Sequence, residues 1–223
     1  PDMAKSLRLI AETYGDAFYK GELADKIDAF MQEHNGFLRK SDLEAYKPEW
    51  VEPLSVNYRG YDIWELPPNG HGITVLMALN ILKGYNFTER DTVETMHKQI
   101  EAMKLSFVDT KEYVAEPSYM KVTAEQLLSE RYAADRRALI NDKALEPVVG
   151  DPRYSSTVYF CSTADAEGNM VSMIQSNYRG FGSGIVVPGT SISFNDRAEN
   201  FSFDENHPNA LQGGKRPYHT IIP

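Results

Sequence analysis

Small hydroxyl residues, Ser155-Ser156-Thr157, end a polar stretch and open an apolar one, Val158-Tyr159-Phe160-Cys161. If the bond before Thr157 were cut, Thr157 would carry a free α-amine beside its own hydroxyl. Such an amine titrates near ~8 and activates a threonine hydroxyl as a nucleophile. The cut can be autocatalytic: the hydroxyl attacks the preceding carbonyl, an N-to-O shift leaves an ester, and water opens it. The plainer reading of the same residues is a turn or cap at a strand start. A second stretch, Asn177-Tyr178-Arg179-Gly180-Phe181-Gly182-Ser183-Gly184, combines three glycines with two side chains, Asn177 and Ser183, that can hydrogen-bond a substrate. It lacks the Gly-Lys-Ser/Thr ending and following helix of a phosphate loop. In Gly213-Gly214-Lys215-Arg216-Pro217-Tyr218-His219-Thr220, Arg216 and His219 can hold an anionic group, and Arg197, between Asn195 and Asn200, is a further anion-binding candidate.

Composition narrows the chemistry. The five histidines, His34, His71, His97, His207 and His219, share no metal-ligand spacing, so neither a metal site nor a cofactor is expected. The single cysteine, Cys161, allows no intrachain disulfide and reads as a small buried hydrophobe. A net charge of −9 without a basic block argues against a nucleic-acid partner. No apolar run reaches the roughly 20 residues of a membrane span. No signal-peptide pattern opens the chain, which starts Pro1-Asp2-Met3, and a cytoplasmic location is expected over a periplasmic or secreted one. Both ends read as interior points of a longer protein.

The elements that must position these residues change character near residue 156. Before it the chain is mainly helical. Met3, Leu7 and Ile10 mark a first helix. Leu23, Ile27, Phe30 and Met31 mark a second that Asn35-Gly36 stops. Ser41-Asp42-Leu43-Glu44 reads as a capping box with Ser41 as N-cap. Residues 54–58 and 61–66 flank Arg59-Gly60 as a hairpin, and Pro67-Pro68-Asn69-Gly70-His71-Gly72 forms a tight loop before an apolar helix, Ile73 to Leu82. A long helix from about Thr92 to Val114 is expected to turn Met96, Ile100, Met103, Leu105 and Phe107 to the core. Another runs from Ala124 to Leu139, and a Pro/Gly linker follows from Leu145 to Tyr154. After residue 156 strands are expected at 157–164, 170–176, 185–187 and 191–195. Asp165-Ala166-Glu167-Gly168-Asn169 turns between the first two. Helices followed by strands indicate an α+β fold of stacked layers.

Several further segments complete the pattern: Gly21-Glu22-Leu23-Ala24-Asp25, Ala45-Tyr46, Leu79-Asn80-Ile81-Leu82 and Asp109-Thr110-Lys111-Glu112-Tyr113. In this order the whole chain resembles the γ-glutamyltransferase family of N-terminal nucleophile hydrolases, and within it the cephalosporin-acylase-like branch. The resemblance implies a four-layer αββα sandwich, of which this chain is a central part. It also implies a precursor that cuts itself between Ser156 and Thr157. Residues 1–156 would then be the C-terminal part of the large subunit region, and 157–223 the N-terminal part of the small subunit region, the two remaining paired. Thr157 would take an acyl group from a γ-glutamyl or related amide such as glutathione and pass it to water or an amino acceptor. The Asn177 loop would lie beside it. The Thr157-to-Asp165 interval is one residue longer than the family pattern, which calls for a bulge or moves the nucleophile to Ser156; Thr157-Val158-Tyr159 gives the better match.

Departures concern the substrate. Where glutathione-cleaving members carry a glutamine and an aspartate for the glutamyl amino end, this chain has Arg197 and Asn200. A paired serine after Arg-Pro is replaced by His219-Thr220. Arginine there favours an acidic or neutral acyl end. The family's carboxylate-binding arginine would precede Pro1 and its Gly-Gly oxyanion donors would follow Pro223, so this stretch alone is expected to be weak or inactive. The competing reading is a non-catalytic, unprocessed relative that binds small acyl amino acids in the same pocket.

Overall fold

The computed structural model describes residues 1–146, 159–164 and 170–222. They form two compact units, each assembled from separated stretches of chain: residues 1–50 with 177–196, and residues 51–176 with 197–223. The sequence is α+β, with helices first and three two-stranded antiparallel sheets among the described residues.

The first unit begins with four helices: α1 (Asp2–Glu12), α2 (Asp16–Tyr19), α3 (Glu22–Glu33) and α4 (Lys40–Ala45). Thr13 makes the turn after α1. Its hydroxyl donates to Leu9 O at 2.6 Å and accepts Ala17 N–H at 2.9 Å, so the chain leaves one helix and enters the next through one side chain. The expected stripe of α3 buries Leu23 and Ile27 fully, with Ala24 beside them. Complete burial of each of the larger two is worth about 1.5–3 kcal/mol. The capping box lies two residues earlier than the Ser41 pattern suggests. Arg39 is the N-cap, and its N–H is held by Asp42 Oδ2 at 2.8 Å. Asp42 stands three after Arg39 as Glu44 stands three after Ser41, so the sequence offers an acidic partner to either register.

The later part of this unit holds β5 (Val186–Val187) and β6 (Ile192–Ser193), numbered after four earlier strands given below. Ser6, buried on α1, donates to Thr190 O at 2.7 Å, and Val187 is buried. The preceding glycine loop is shaped by one close approach. Gly182 sits at φ +67°, and a Cβ there would overlap Phe194 O and press on Asn195. Gly182→Ala is expected to lower stability by about 2 kcal/mol, since left-handed strain and a backbone overlap act together. Thermal denaturation checks this, against Gly180→Ala, where a Cβ would meet nothing within 4 Å.

The second unit opens with the predicted hairpin. Strands β1 (Leu54–Tyr58) and β2 (Tyr61–Glu65) pair in register from Leu54↔Glu65 to Tyr58↔Tyr61. Arg59 and Gly60 both take positive φ, 55° and 90°, as a two-residue turn matching strand twist requires. Helix α5 (Gly72–Leu82) follows and is apolar all round, because it is enclosed: Ile73, Leu76, Met77, Ala78 and Ile81 are all buried.

Against it lies α6 (Val93–Tyr113), started by Thr92, whose hydroxyl accepts Thr95 N–H. The buried face of α6 is only partly the expected one. Leu105 is inside as expected, together with Ala102, Ser106, Asp109 and Thr110, whereas Met96, Ile100 and Phe107 are about half exposed. Small side chains let the two backbones approach, and Thr74 Oγ1 donates to Thr110 Oγ1 at 3.1 Å between them. The single helix read from Ala124 to Leu139 is two: α7 (Ala124–Leu127) and α8 (Glu130–Arg137). Ser129 caps the second by accepting Tyr132 N–H. Arg137 donates from α8 to the last carbonyls of α5, Ile81 O at 2.6 Å and Asn80 O at 2.7 Å. Those carbonyls lack helical partners, and a cation suits a helix C-terminus.

The remaining strands, β3 (Tyr159–Ala164) and β4 (Met170–Gln175), pair antiparallel, from Tyr159↔Gln175 to Ala164↔Met170. Cys161 lies on β3. The expected turn at 165–169, most of the expected linker, and the first two residues of the expected strand from 157 lie outside the described residues.

Candidate functional site

The clearest cluster of polar chemistry forms within the second unit, where the loop at 67–72 meets the segment 215–221. Backbone bonds set the register. His219 N–H donates to Asn69 O and His71 N–H to His219 O, both at 2.9 Å, giving a parallel bridge between Gly70 and His219. The Asn69 side chain adds a third bond, donating to Pro217 O at 2.7 Å. This stitching brings His71 and His219 together although 148 residues separate them. His71 ends up buried, with its ring 5.7 Å from that of Tyr218 and 6.0 Å from that of Phe107.

Arg197 joins from a short 3-10 turn, Arg197–Asn200, and is 5% exposed. Its Nη1 donates to Thr220 Oγ1 at 3.0 Å. The neighbouring rings respond to burial and to this guanidinium. Burial pushes the His71 imidazole down from 6.5 to about 4; the His219 backbone opposes the shift and the Arg197 charge adds to it. His219 is likewise pushed down to about 4, by burial, then by Arg197, then by His71. Near neutral pH the cluster is therefore a fixed positive charge in the neighbourhood of two neutral imidazoles. His219 Nδ1 accepts Ile221 N–H at 3.3 Å, so its own proton sits on Nε2. Two buried polar atoms, His71 Nδ1 and Asn200 Nδ2, have no hydrogen-bond partner among the described residues. Such groups cost roughly 1–3 kcal/mol unless something answers them, and with Arg197 they suit a small polar or anionic ligand group.

The depressed histidines carry a pH consequence. Between 6.5 and about 4 the unfolded chain binds protons at His71 and His219 that the folded chain refuses. The stabilisation is complete above 6.5 and is lost as pH falls toward 4. The denaturant midpoint is expected to drop from pH 7.5 to pH 5, and the drop to shrink when both histidines are replaced by glutamine. An unchanged pH dependence in the double variant would remove these rings as its source.

The sequence-predicted residues distribute unevenly. Arg197, His219 and Thr220 meet, and Asn200 closes the same turn that carries Arg197. Asn177 belongs to the first unit, where it is exposed and its carbonyl accepts Asp196 N–H at 3.3 Å. Ser155, Ser156 and Thr157 lie outside the described residues. Arg216 is committed elsewhere: its guanidinium grips Glu116 through two bonds of 2.6 and 2.7 Å, and that pairing holds the Glu116 carboxyl below its usual range. His71 was met in the sequence only as a histidine without ligand spacing. Its place in a Pro-Pro-Asn-Gly-His-Gly loop was the available signal, and the partner that gives it meaning is remote in sequence. A cleft of about 560 Å³ between α6, α7 and α8, lined by Tyr113, Leu127 and Tyr132 among others, shares no residue with this cluster. Among the described residues no group of three or more His, Cys, Asp or Glu is placed to hold a metal, and no helix is long and apolar enough to cross a membrane.

Comparison with known proteins supplies context for this geometry. Residues 1–223 match the family model described as γ-glutamyltranspeptidase. The glutathione hydrolase-like YwrD proenzyme of Bacillus subtilis is 40% identical over 100% of this chain and 42% of its own length. A glutathione hydrolase proenzyme of a Pseudomonas species is 33% identical over 100% of this chain, again 42% of its own length. The crystal structure of cephalosporin acylase from Bacillus halodurans superposes with a TM-score of 0.93 at 59% identity, covering 99% of this chain and 40% of that one. The chain thus spans about two-fifths of the length of the relatives it matches. Its fold is that of the N-terminal nucleophile hydrolases of transpeptidase and acylase type, of which it forms a part.

Proposed function

The chain belongs to the γ-glutamyltranspeptidase family, and from that premise we propose that it carries the nucleophile and part of the acyl-binding pocket of a self-cleaving amidohydrolase and acyltransferase. The family comprises glutathione hydrolase and acylase proenzymes. The observation that carries the reading is the match of all 223 residues, with Ser156-Thr157 inside it, to such proenzymes.

The precursor step begins with attack of the Thr157 hydroxyl on the Ser156 carbonyl. The peptide nitrogen leaves as the new α-amine of Thr157, and water hydrolyses the resulting ester. In turnover, the freed amine takes the hydroxyl proton as the oxygen attacks the substrate amide. The departing amine receives that proton, and an acyl ester remains on Thr157. Water or an amino acceptor then attacks the ester, and the threonine hydroxyl is restored.

The acyl end of the substrate occupies the Arg197 cluster. A guanidinium near two neutral imidazoles attracts a carboxylate and repels an ammonium. Among γ-glutamyl and related acyl groups, one that ends in a carboxylate or a neutral group is therefore favoured over one that adds an ammonium beside it, as γ-glutamyl itself does.

Residues 1–156 would belong to the large subunit and 157–223 to the small one. The two would stay joined after cleavage, because each compact unit contains bonds that cross residue 156. Ser6 to Thr190 is one in the first unit; His71 to His219 and Arg216 to Glu116 are two in the second. Intact-mass measurement of the full-length protein tests the proposal. Two pieces are expected, the smaller starting at Thr157, together with turnover of γ-glutamyl- or glutaryl-p-nitroanilide. A single uncut chain without turnover would instead favour an unprocessed relative that binds small acyl amino acids.

A further inference from the structure

We infer that Asn209, clamped in place by Lys215, is the positioning residue that fixes the Arg197 turn against the His219–Thr220 segment and so sets which acyl end the cluster accepts. The positional part stands on geometry alone. The part about acyl ends rests on the proposed function.

Asn209 is 3% exposed, and all its polar groups are used. Its Nδ2 donates to Asn200 O at 2.6 Å, at the end of the turn that begins with Arg197. Its Oδ1 accepts Tyr218 N–H at 2.9 Å, one residue before His219. Its own N–H donates to His207 Nδ1 at 3.0 Å, and its carbonyl accepts Ser202 N–H at 2.8 Å. One side chain thus ties together two segments about 20 residues apart that carry Arg197 and Asn200 on one side and His219 and Thr220 on the other. The position requires a group that accepts from one amide and donates to one carbonyl at the same time, which a carboxamide does. Aspartate keeps the acceptor but turns a carboxylate oxygen toward Asn200 O.

The residues on either side of Asn209 are held by a buried cation. Lys215 Nζ donates to Pro208 O at 2.6 Å and Ala210 O at 3.1 Å, and lies 4.1 Å from the centroid of the Tyr119 ring. Lys215 is 8% exposed. Burying an ammonium is costly unless donors are satisfied, so the lysine commits the 208–210 backbone to one geometry. Asn209 and Lys215 spend their polar groups on backbone, on His207 and on the Tyr119 ring. The consequence is the fixed spacing between the guanidinium and the His219–Thr220 pair.

The test compares full-length wild type with Asn209→Asp and Asn209→Ala by two measurements. Hydrogen–deuterium exchange reads residues 197–202 and 216–222, with α6 as internal reference. Kinetics read the ratio of kcat/KM for glutaryl- and γ-glutamyl-p-nitroanilide, which differ only at the acyl end. Faster exchange in both segments with α6 unchanged is expected, together with a change in the ratio of about 10- to 100-fold, the scale of an ångström-sized misplacement. A merely structural role lowers activity on both substrates alike and leaves the ratio where it was. Unchanged exchange in the two segments overturns the positional inference, whatever the kinetics show. Faster exchange with an unchanged ratio supports the positional part and overturns the assignment of the cluster to the acyl end. Should the Asn209 variants fail to fold, Lys215→Met is measured in the same way, since it removes both carbonyl bonds without touching the amide.

Discussion

Full-length Thr157→Ala is expected to remain a single polypeptide and to lose hydrolysis of both γ-glutamyl- and glutaryl-p-nitroanilide by at least about 10⁴-fold, the scale seen when an acyl-transfer nucleophile is removed. Two losses are combined in one substitution. Alanine has no hydroxyl to attack the Ser156 carbonyl, so the α-amine that would serve as base is never released. It also has no oxygen to carry the acyl group. Thr157→Ser separates them, because serine keeps the oxygen: slower cleavage and reduced but measurable turnover are expected. Intact mass and p-nitroaniline release read the two steps independently. Any cleavage in Thr157→Ala would sink the assignment, and a cut at Ser155–Ser156 would turn attention to Ser156, which the longer interval to Asp165 leaves as the neighbouring choice. The pairing of the two pieces is read in the same samples. Bonds such as Ser6 to Thr190 and His71 to His219 cross the cut within their own units, so the wild-type pieces should elute together.

Much of the architecture could be read from residue types because local chemistry decides it. Arg59-Gly60 between two alternating runs leaves a two-residue turn as the simple solution, and both residues take positive φ. Thr92 and Val114 bound the long helix as expected, since a threonine N-cap satisfies the first free amides. Where structure and sequence pattern differ, the difference depends on partners. In α6 the large apolar residues suggest a core face through Met96, Ile100, Leu105 and Phe107, yet only Leu105 of these is buried, and the helix meets α5 through Ala102, Leu105 and Thr110. Periodicity shows that a stripe exists; it does not show which stripe a neighbouring helix selects. The Ser129 cap that divides the 124–139 stretch was equally present in the sequence, where one long helix was the simpler pattern.

The site divides along the same line. Arg197, His219 and Thr220 were singled out by type, and the fold brings them together. His71 and Asn209 were not, because their roles come from bonds to residues far along the chain. Asn177, chosen for its glycine-rich surroundings, is placed in the other compact unit.

Arg197 is the residue on which substrate choice should turn. Replacing it with glutamine keeps a polar side chain but removes the fixed charge that Arg197 brings to the cluster. A charged hydrogen bond to a ligand carboxylate is worth about 1.5–3 kcal/mol, so KM for glutaryl-p-nitroanilide should rise about 10- to 100-fold. The value of kcat should move much less, because the guanidinium grips a part of the substrate that is the same in ground and transition states. KM for the γ-glutamyl substrate should rise less, because it carries the same carboxylate with an ammonium beside it, and loss of the guanidinium removes an attraction and a repulsion together. The histidines sharpen the argument. Both are held neutral near pH 7 by burial and by Arg197 itself, so loss of the guanidinium also releases one of the forces that lowers their pKa values. In Arg197→Gln, protonation of His219 or His71 should therefore begin at higher pH, and the glutaryl KM should recover part of its loss as pH falls from 7 toward 5. Wild type, whose charge does not titrate, should show no such recovery. Equal losses on both substrates with no pH-dependent recovery would mean that Arg197 supports the 197–200 turn without meeting the acyl group.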